Sequence, residues 1–151
     1  ARGRHALRYR PAQWAHGPNW CLHREQGGRW FGFDAVRELP GLPPELLLVP
    51  LAGHSPGHAG VAIDTQAGWL LHGGDAWFHR GVVDPGVASP TMGLGLFERF
   101  TQWRSDLRAQ NQAHLRELAA EKSNKINMFC AHDAVEFQRF QDRLQIGSLS
   151  G

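Results

Sequence analysis

The sequence predicts an α/β (α+β) domain built on a mixed, mostly antiparallel sheet. Three observations carry that reading. Short apolar runs separated by Gly- and Pro-containing turns fill residues 29–72. From Leu96 the apolar spacing becomes that of a helix. A further apolar run, Ile126 to Cys130, then precedes a last helical stretch. Runs bounded by turn residues suit strands, and a spacing of three and four suits an amphipathic helix.

The elements follow in order. Residues 1–28 are polar and weakly periodic, and are peripheral. Arg29–Phe33 reads as one short strand. Leu39–Pro44 is a connector, because consecutive prolines exclude both a helix and a central strand. Glu45–Leu51 is a buried strand, with a short helix as the alternative that periodicity leaves open. The loop 52–58 follows, then a strand at Ala59–Asp64, a turn at Thr65–Gly68 and a returning strand at Trp69–His72. Gly73-Gly74 ends that strand with flexible backbone. Residues 80–95 read as a long loop. Leu96, Phe100, Trp103 and Leu107 share a helical face that Leu115, Leu118 and Ala119 continue after a polar break at Gln110–Gln112. The opposite face carries Glu98, Arg99, Arg104, Asp106 and Arg108, so this is one surface helix or two. Ser123-Asn124 ends it. Ile126–Cys130 is a strand, and Asp133 caps a final helix whose face includes Val135, Phe137, Phe140 and Leu144. Gly147–Gly151 is a frayed tail, and 146–151 is peripheral. With no repeat and no linker, residues 1–151 form a single domain.

Composition narrows the function classes. The chain has 151 residues, 42% of them hydrophobic and 20% charged, which argues against disorder throughout. A net charge of +2 predicts neither a nucleic-acid nor a membrane partner. Arg2, Arg4, Arg8 and Arg10 read as a solvated stretch. No apolar run approaches the ~18 residues of a membrane span, and no signal-peptide pattern opens the chain. Cys21 and Cys130 are far apart and outside any Cys-x-x-Cys, so a reduced, cytoplasmic setting fits.

Nine histidines are many for this length, and His54, His58, His72 and His79 fall within 26 residues. Three segments each place a metal-ligating side chain after an apolar run: Gly53-His54-Ser55-Pro56-Gly57-His58, Gly74-Asp75, and Cys130-Ala131-His132-Asp133. Imidazole and carboxylate suit zinc and related metals. A carboxylate can also serve two cations, one on each oxygen. Pro56 and Gly57 argue against a helix, so His54 and His58 need not point the same way. His72 and His79 flank Asp75 and are placed to orient a ligand, although packing or the surface is the preferred reading of His72. Cys130 is read as a small buried strand residue before a thiolate ligand. Ser55 is no nucleophile, since no base accompanies it. No catalytic residue is assigned.

In this order the three segments resemble the second half of the metallo-β-lactamase superfamily, most closely its glyoxalase II and lactonase-like branch. The resemblance spans roughly residues 45–143. It implies half of an αβ/βα sandwich, with helices on one face of the sheet and metals at its edge. It implies that His58 and His132 hold one metal each and that Asp75 bridges them. His54 sits where the family often has a histidine that is not a ligand. His54, His72, His79 and Asp133 are then candidates for orienting the ligands. It implies zinc, one or two ions, with another divalent transition metal as the alternative. The activity implied is metal-dependent hydrolysis of a small-molecule ester, thioester or lactone.

The His-x-His-x-Asp-His cluster of the family's first half does not occur. This chain alone is therefore expected to be inactive, with weak or single-ion zinc binding. A half-sandwich also leaves an apolar sheet face to be covered. The expected partner is a second copy or a missing N-terminal half. The alternative is a non-catalytic, self-associating or partner-binding remnant of the fold.

Overall fold

Apolar runs joined by tight turns pair with their chain neighbours, and the first five strands do so. The computed structural model describes residues 9–23, 26–65, 67–121 and 125–148, with backbone alone for residue 140 and for 143–148. Gly28–Trp30 (β1), Phe33–Glu38 (β2), Leu46–Pro50 (β3), Ala59–Asp64 (β4) and Trp69–His72 (β5) form an antiparallel meander. Met92–Thr101 (α1) and Ser105–Ala120 (α2) lead to Ile126–Phe129 (β6), and Ala134–Ser148 (α3) follows. β6 pairs parallel to β5 and completes a six-stranded sheet in the order β1-β2-β3-β4-β5-β6. A parallel neighbour requires a long crossover, and α1 and α2 provide it.

Alternation along the strands sorts the side chains into rows. Leu47, Ala62, Leu71 and Met128 are paired across β3 to β6 and face the core. That core also holds Val49, Leu51, Trp77, Leu115 and Leu118, all buried. Leu115 and Leu118 come from α2, so the core lies between the sheet and this helix. The opposite rows are Leu46, Ile63 and Leu70, and Leu48, Val61, His72 and Phe129. All seven remain partly open to solvent.

Several expectations change. The strand expected at Arg29–Phe33 is a hairpin. Phe31 and Gly32 both have positive φ (44° and 85°) and turn the chain between Trp30 and Phe33. Two such residues match the twist of the flanking strands. The loop 80–95 contains a 3-10 turn at Arg80–Val82 and ends early, because Thr91 caps α1 by accepting from the Leu94 amide. The helix break falls at 102–104, not at Gln110–Gln112, which lie inside α2. That break resets the helical phase. Leu96 and Phe100, read as core-facing, are exposed, whereas Arg108, read as solvated, is buried. In α3, Val135 and Phe137 are exposed and Glu136 is buried. Gly147 and Ser148 are helical instead of frayed.

Some expectations fall on Arg2, Arg4, Arg8, Gln66, Ser123-Asn124, residues 149–151 and the side chains of Phe140 and Leu144; these lie outside the described residues. Among the described residues, no helix is long and apolar enough to cross a membrane.

Candidate functional site

The three histidine- and aspartate-bearing segments meet at one end of the sheet. Each leaves a strand that the pairing has already aligned: β3 before His54, β5 before Asp75 and β6 before His132. The Leu51 amide donates to the His58 carbonyl at 2.9 Å and closes the loop between β3 and β4. Gly74 turns the chain at φ +56°, where a Cβ would lie 2.8 Å from His58 Nε2.

His54 and His132 sit on opposite oxygens of the Asp75 carboxylate. His132 Nε2 is 2.9 Å from Oδ1, and His54 Nε2 is 3.4 Å from Oδ2. His58 lies behind them. Its Nε2 accepts the Asp75 amide proton at 2.9 Å, so this nitrogen carries no hydrogen. Nδ1 therefore holds the proton and donates to the Leu51 carbonyl at 2.9 Å. Both ring nitrogens are thus engaged with backbone. Burial pushes the His58 pKa below its ordinary value, against the opposing effect of the bond to Leu51. Of the two loop histidines, His54 meets the Asp75 carboxylate here, and His58 braces the backbone beneath it. The H-x-x-x-H spacing could not reveal this, because the turn at Ser55–Gly57 decides which ring points inward.

The other candidates have distinct places. His72 is on the partly open face of β5, its ring 4.7 Å from that of Phe129. His79 caps the 3-10 turn, its Nδ1 accepting from the Gly81 amide. Asp133 accepts from the Val135 and Glu136 amides at the start of α3, and from the Arg80 amide and guanidinium at 2.8–3.1 Å. Burial alone would raise its pKa, but these bonds outweigh it and hold the carboxyl below its usual range. Cys130 is buried, and its thiol is pushed up to about 12, chiefly by burial. It therefore stays protonated near neutral pH.

Three supporting residues were not legible as such. Glu136 is buried and accepts from Trp77 Nε1 and the Cys130 amide, which joins the Asp75 loop to the His132 loop. Burial raises its pKa. Arg108 is 3% exposed, pairs with Glu98, and donates from Nε to the Ala76 carbonyl at 3.1 Å. Phe78 lies 4.5 Å from the His132 ring and 4.8 Å from the Arg108 guanidinium. A cavity of about 540 Å³ opens here, and its lining includes Asp75, His54 and His132 together with the apolar Phe78, Leu94 and Phe97.

Two imidazoles and a shared carboxylate are the right donor types for zinc or a similar cation. The number falls short. Among the described residues no group of three or more His, Cys, Asp or Glu could hold a metal ion. Each carboxylate oxygen has one histidine beside it, where a catalytic zinc keeps three protein ligands.

No family model matches the sequence. Two curated relatives do, probable metallo-hydrolases of Mycobacterium tuberculosis and Mycobacterium bovis, each 38% identical over 139 residues. The match covers 92% of this chain but 44% of each relative, so the chain spans less than half their length. A solved quorum-quenching N-acyl homoserine lactone lactonase is 24% identical over 67% of this chain and 36% of its own, with a TM-score of 0.47. The sequence is thus similar, over most of its own length, to mycobacterial proteins described as probable metallo-hydrolases.

Proposed function

We propose that this chain is the part of a metal-dependent hydrolase that contributes the shared carboxylate and one histidine on each side of it. The observation that carries this is the Asp75 carboxylate, with His132 at one oxygen and His54 at the other. On this reading His54 and His132 face the metals, and His58 holds the Asp75 backbone. Zinc, one or two ions, is the favoured metal; when bound, such a metal lowers the pKa of water toward neutrality and polarises a carbonyl. The chain's own residues bind and exclude water. Phe78, Leu94 and Phe97 give the cavity an apolar lining against which a small ester, thioester or lactone would rest. The remaining ligands and the group that orients the attacking water come from a His-x-His-x-Asp-His half, and the 151 residues alone are inactive. Two free cysteines, Cys21 and Cys130, agree with a cytoplasmic setting.

A non-catalytic, self-associating module is the second reading. It is favoured by the partly open apolar rows on the sheet. Residues 1–151 act as one domain in either case.

Metal content decides between them. Chelator-stripped protein titrated with zinc should bind weakly, with Asp75→Ala and His132→Ala abolishing the uptake. A zinc isotherm identical in the native chain and Asp75→Ala would defeat the metal reading. Turnover by the chain alone, lost in Asp75→Ala, would defeat the incomplete-site reading.

A further inference from the structure

We propose that Arg108 is a positioning residue for this site: from α2, its guanidinium fixes the Asp75 loop relative to His54. The proposal rests on reading His54, Asp75 and His132 as one site. Arg108 Nε donates to the Ala76 carbonyl at 3.1 Å, and Nη2 reaches the Asp75 carbonyl at 3.4 Å. Gln112, one turn further along α2, donates to the same Ala76 carbonyl at 2.8 Å. Glu98 neutralises the guanidinium at 3.4 Å, and its Oε1 also accepts from the Phe78 amide at 3.1 Å. Residues 75, 76 and 78 are therefore all held from the two helices.

The second loop is held by the same stretch of chain. The Trp103 and Arg104 amides both donate to the Gly53 carbonyl at 2.9 Å, and the Trp103 amide also reaches the His54 carbonyl at 3.1 Å. Gly53, at φ +146°, allows this approach, because a Cβ there would lie 2.6 Å from the Arg108 amide nitrogen. Residues 103–108 thus bind the His54 loop through main-chain amides and the Asp75 loop through one planar fork. An arginine suits that task, since its donors keep a fixed geometry that a lysine lacks. A buried charge serving stability alone is often replaceable by apolar packing. Here its acceptors are the carbonyls of the site loop itself.

The test compares Arg108→Met and Arg108→Lys with Arg116→Met, which removes an exposed arginine of the same helix. Amide hydrogen exchange is followed across the chain, and cobalt(II) is titrated into each protein. In Arg108→Met, exchange at Asp75, Ala76 and Phe78 should quicken about tenfold or more while the β4 and β5 amides are unchanged. Cobalt affinity should fall roughly 10–100-fold, with an altered absorption band. Arg108→Lys should recover part of both, and Arg116→Met should match the native chain. Exchange at 75–78 that equals the Arg116→Met value, or rises in step with the whole sheet, would overturn the proposal. If Arg108→Met does not fold, Arg108→Lys is judged by the same comparison. A native chain that takes up no cobalt refutes the metal reading, and exchange then decides the role of Arg108 by itself.

Discussion

At the residue scale, His58 shows how one imidazole can set the geometry of another side chain without touching its carboxylate. Its Nε2 must remain unprotonated to accept from the Asp75 amide. A second ring proton would place two N–H groups against each other. Burial lowers its folded pKa from 6.5, so below that pH the unfolded chain binds a proton that the folded chain resists. Stability from this group is complete above about 6.5 and is lost as pH falls through it toward the lower folded value. Glu136 acts in the opposite sense: its folded pKa is raised from 4.5, so its contribution declines as pH rises above that value. The thermal midpoint should fall between pH 7.5 and 5.5, and the fall should shrink in His58→Gln. An equal fall in both proteins would rule out His58 as its source. Asp133 offers a second test. It caps α3 and receives the Arg80 amide and guanidinium, so Asp133→Ala should cost about 2 kcal/mol, the upper end for a lost cap. Urea denaturation showing a change below about 0.5 kcal/mol would contradict this.

At the element scale, the crossover between β5 and β6 organises the site. α2 meets the sheet with Leu115 and Leu118 and holds both site loops near its start. Gly53 is the narrow point of that contact. Gly53→Ala puts a Cβ within 2.7 Å of Arg108 main-chain atoms at a φ that costs roughly 1–3 kcal/mol in itself. It should lower the melting temperature and weaken zinc uptake together. Gly57→Ala is the control, since a Cβ there meets nothing within 4 Å. Equal melting temperatures for the two variants would show that the approach is not constrained. The reversal of the helix faces has a local cause. The apolar spacing across 96–107 assumed continuous helix, but the chain is extended at Gln102 (φ −85°, ψ 154°). Periodicity read through such a break assigns the second helix to the wrong side, and in this way Arg108 was placed in solvent.

At the scale of the whole molecule, the sheet has one packed face and one that is partly open. Leu46, Leu48, Val61, Ile63, Leu70 and Phe129 form cross-strand rows outside the buried cluster of the described residues. Partly open apolar rows of this kind would suit the docking of another layer. The 16.8 kDa chain is therefore expected to self-associate at micromolar concentration unless a complementary half is supplied. Leu48→Lys combined with Ile63→Lys should shift light scattering toward the monomer without melting the sheet. A native chain that is monomeric at micromolar concentration would remove the case for self-association.

What the sequence determined by itself was largely local. The runs at 46–50, 59–64, 69–72 and 126–129 announce strands, because period and turn chemistry depend on residues a few positions apart. Asp133 as a cap and Cys130 as a buried thiol were legible for the same reason. The three segments that converge were visible as segments. Only the tertiary structure decided which histidine faces the carboxylate, since His54 and His58 share one loop and differ by a turn. It also decided that Arg108 and Glu98 are buried together, across a helix break and 32 residues or more from the backbone that Arg108 holds. A side chain's direction and its distant partners follow from how layers pack, and no spacing within the chain encodes that packing in readable form.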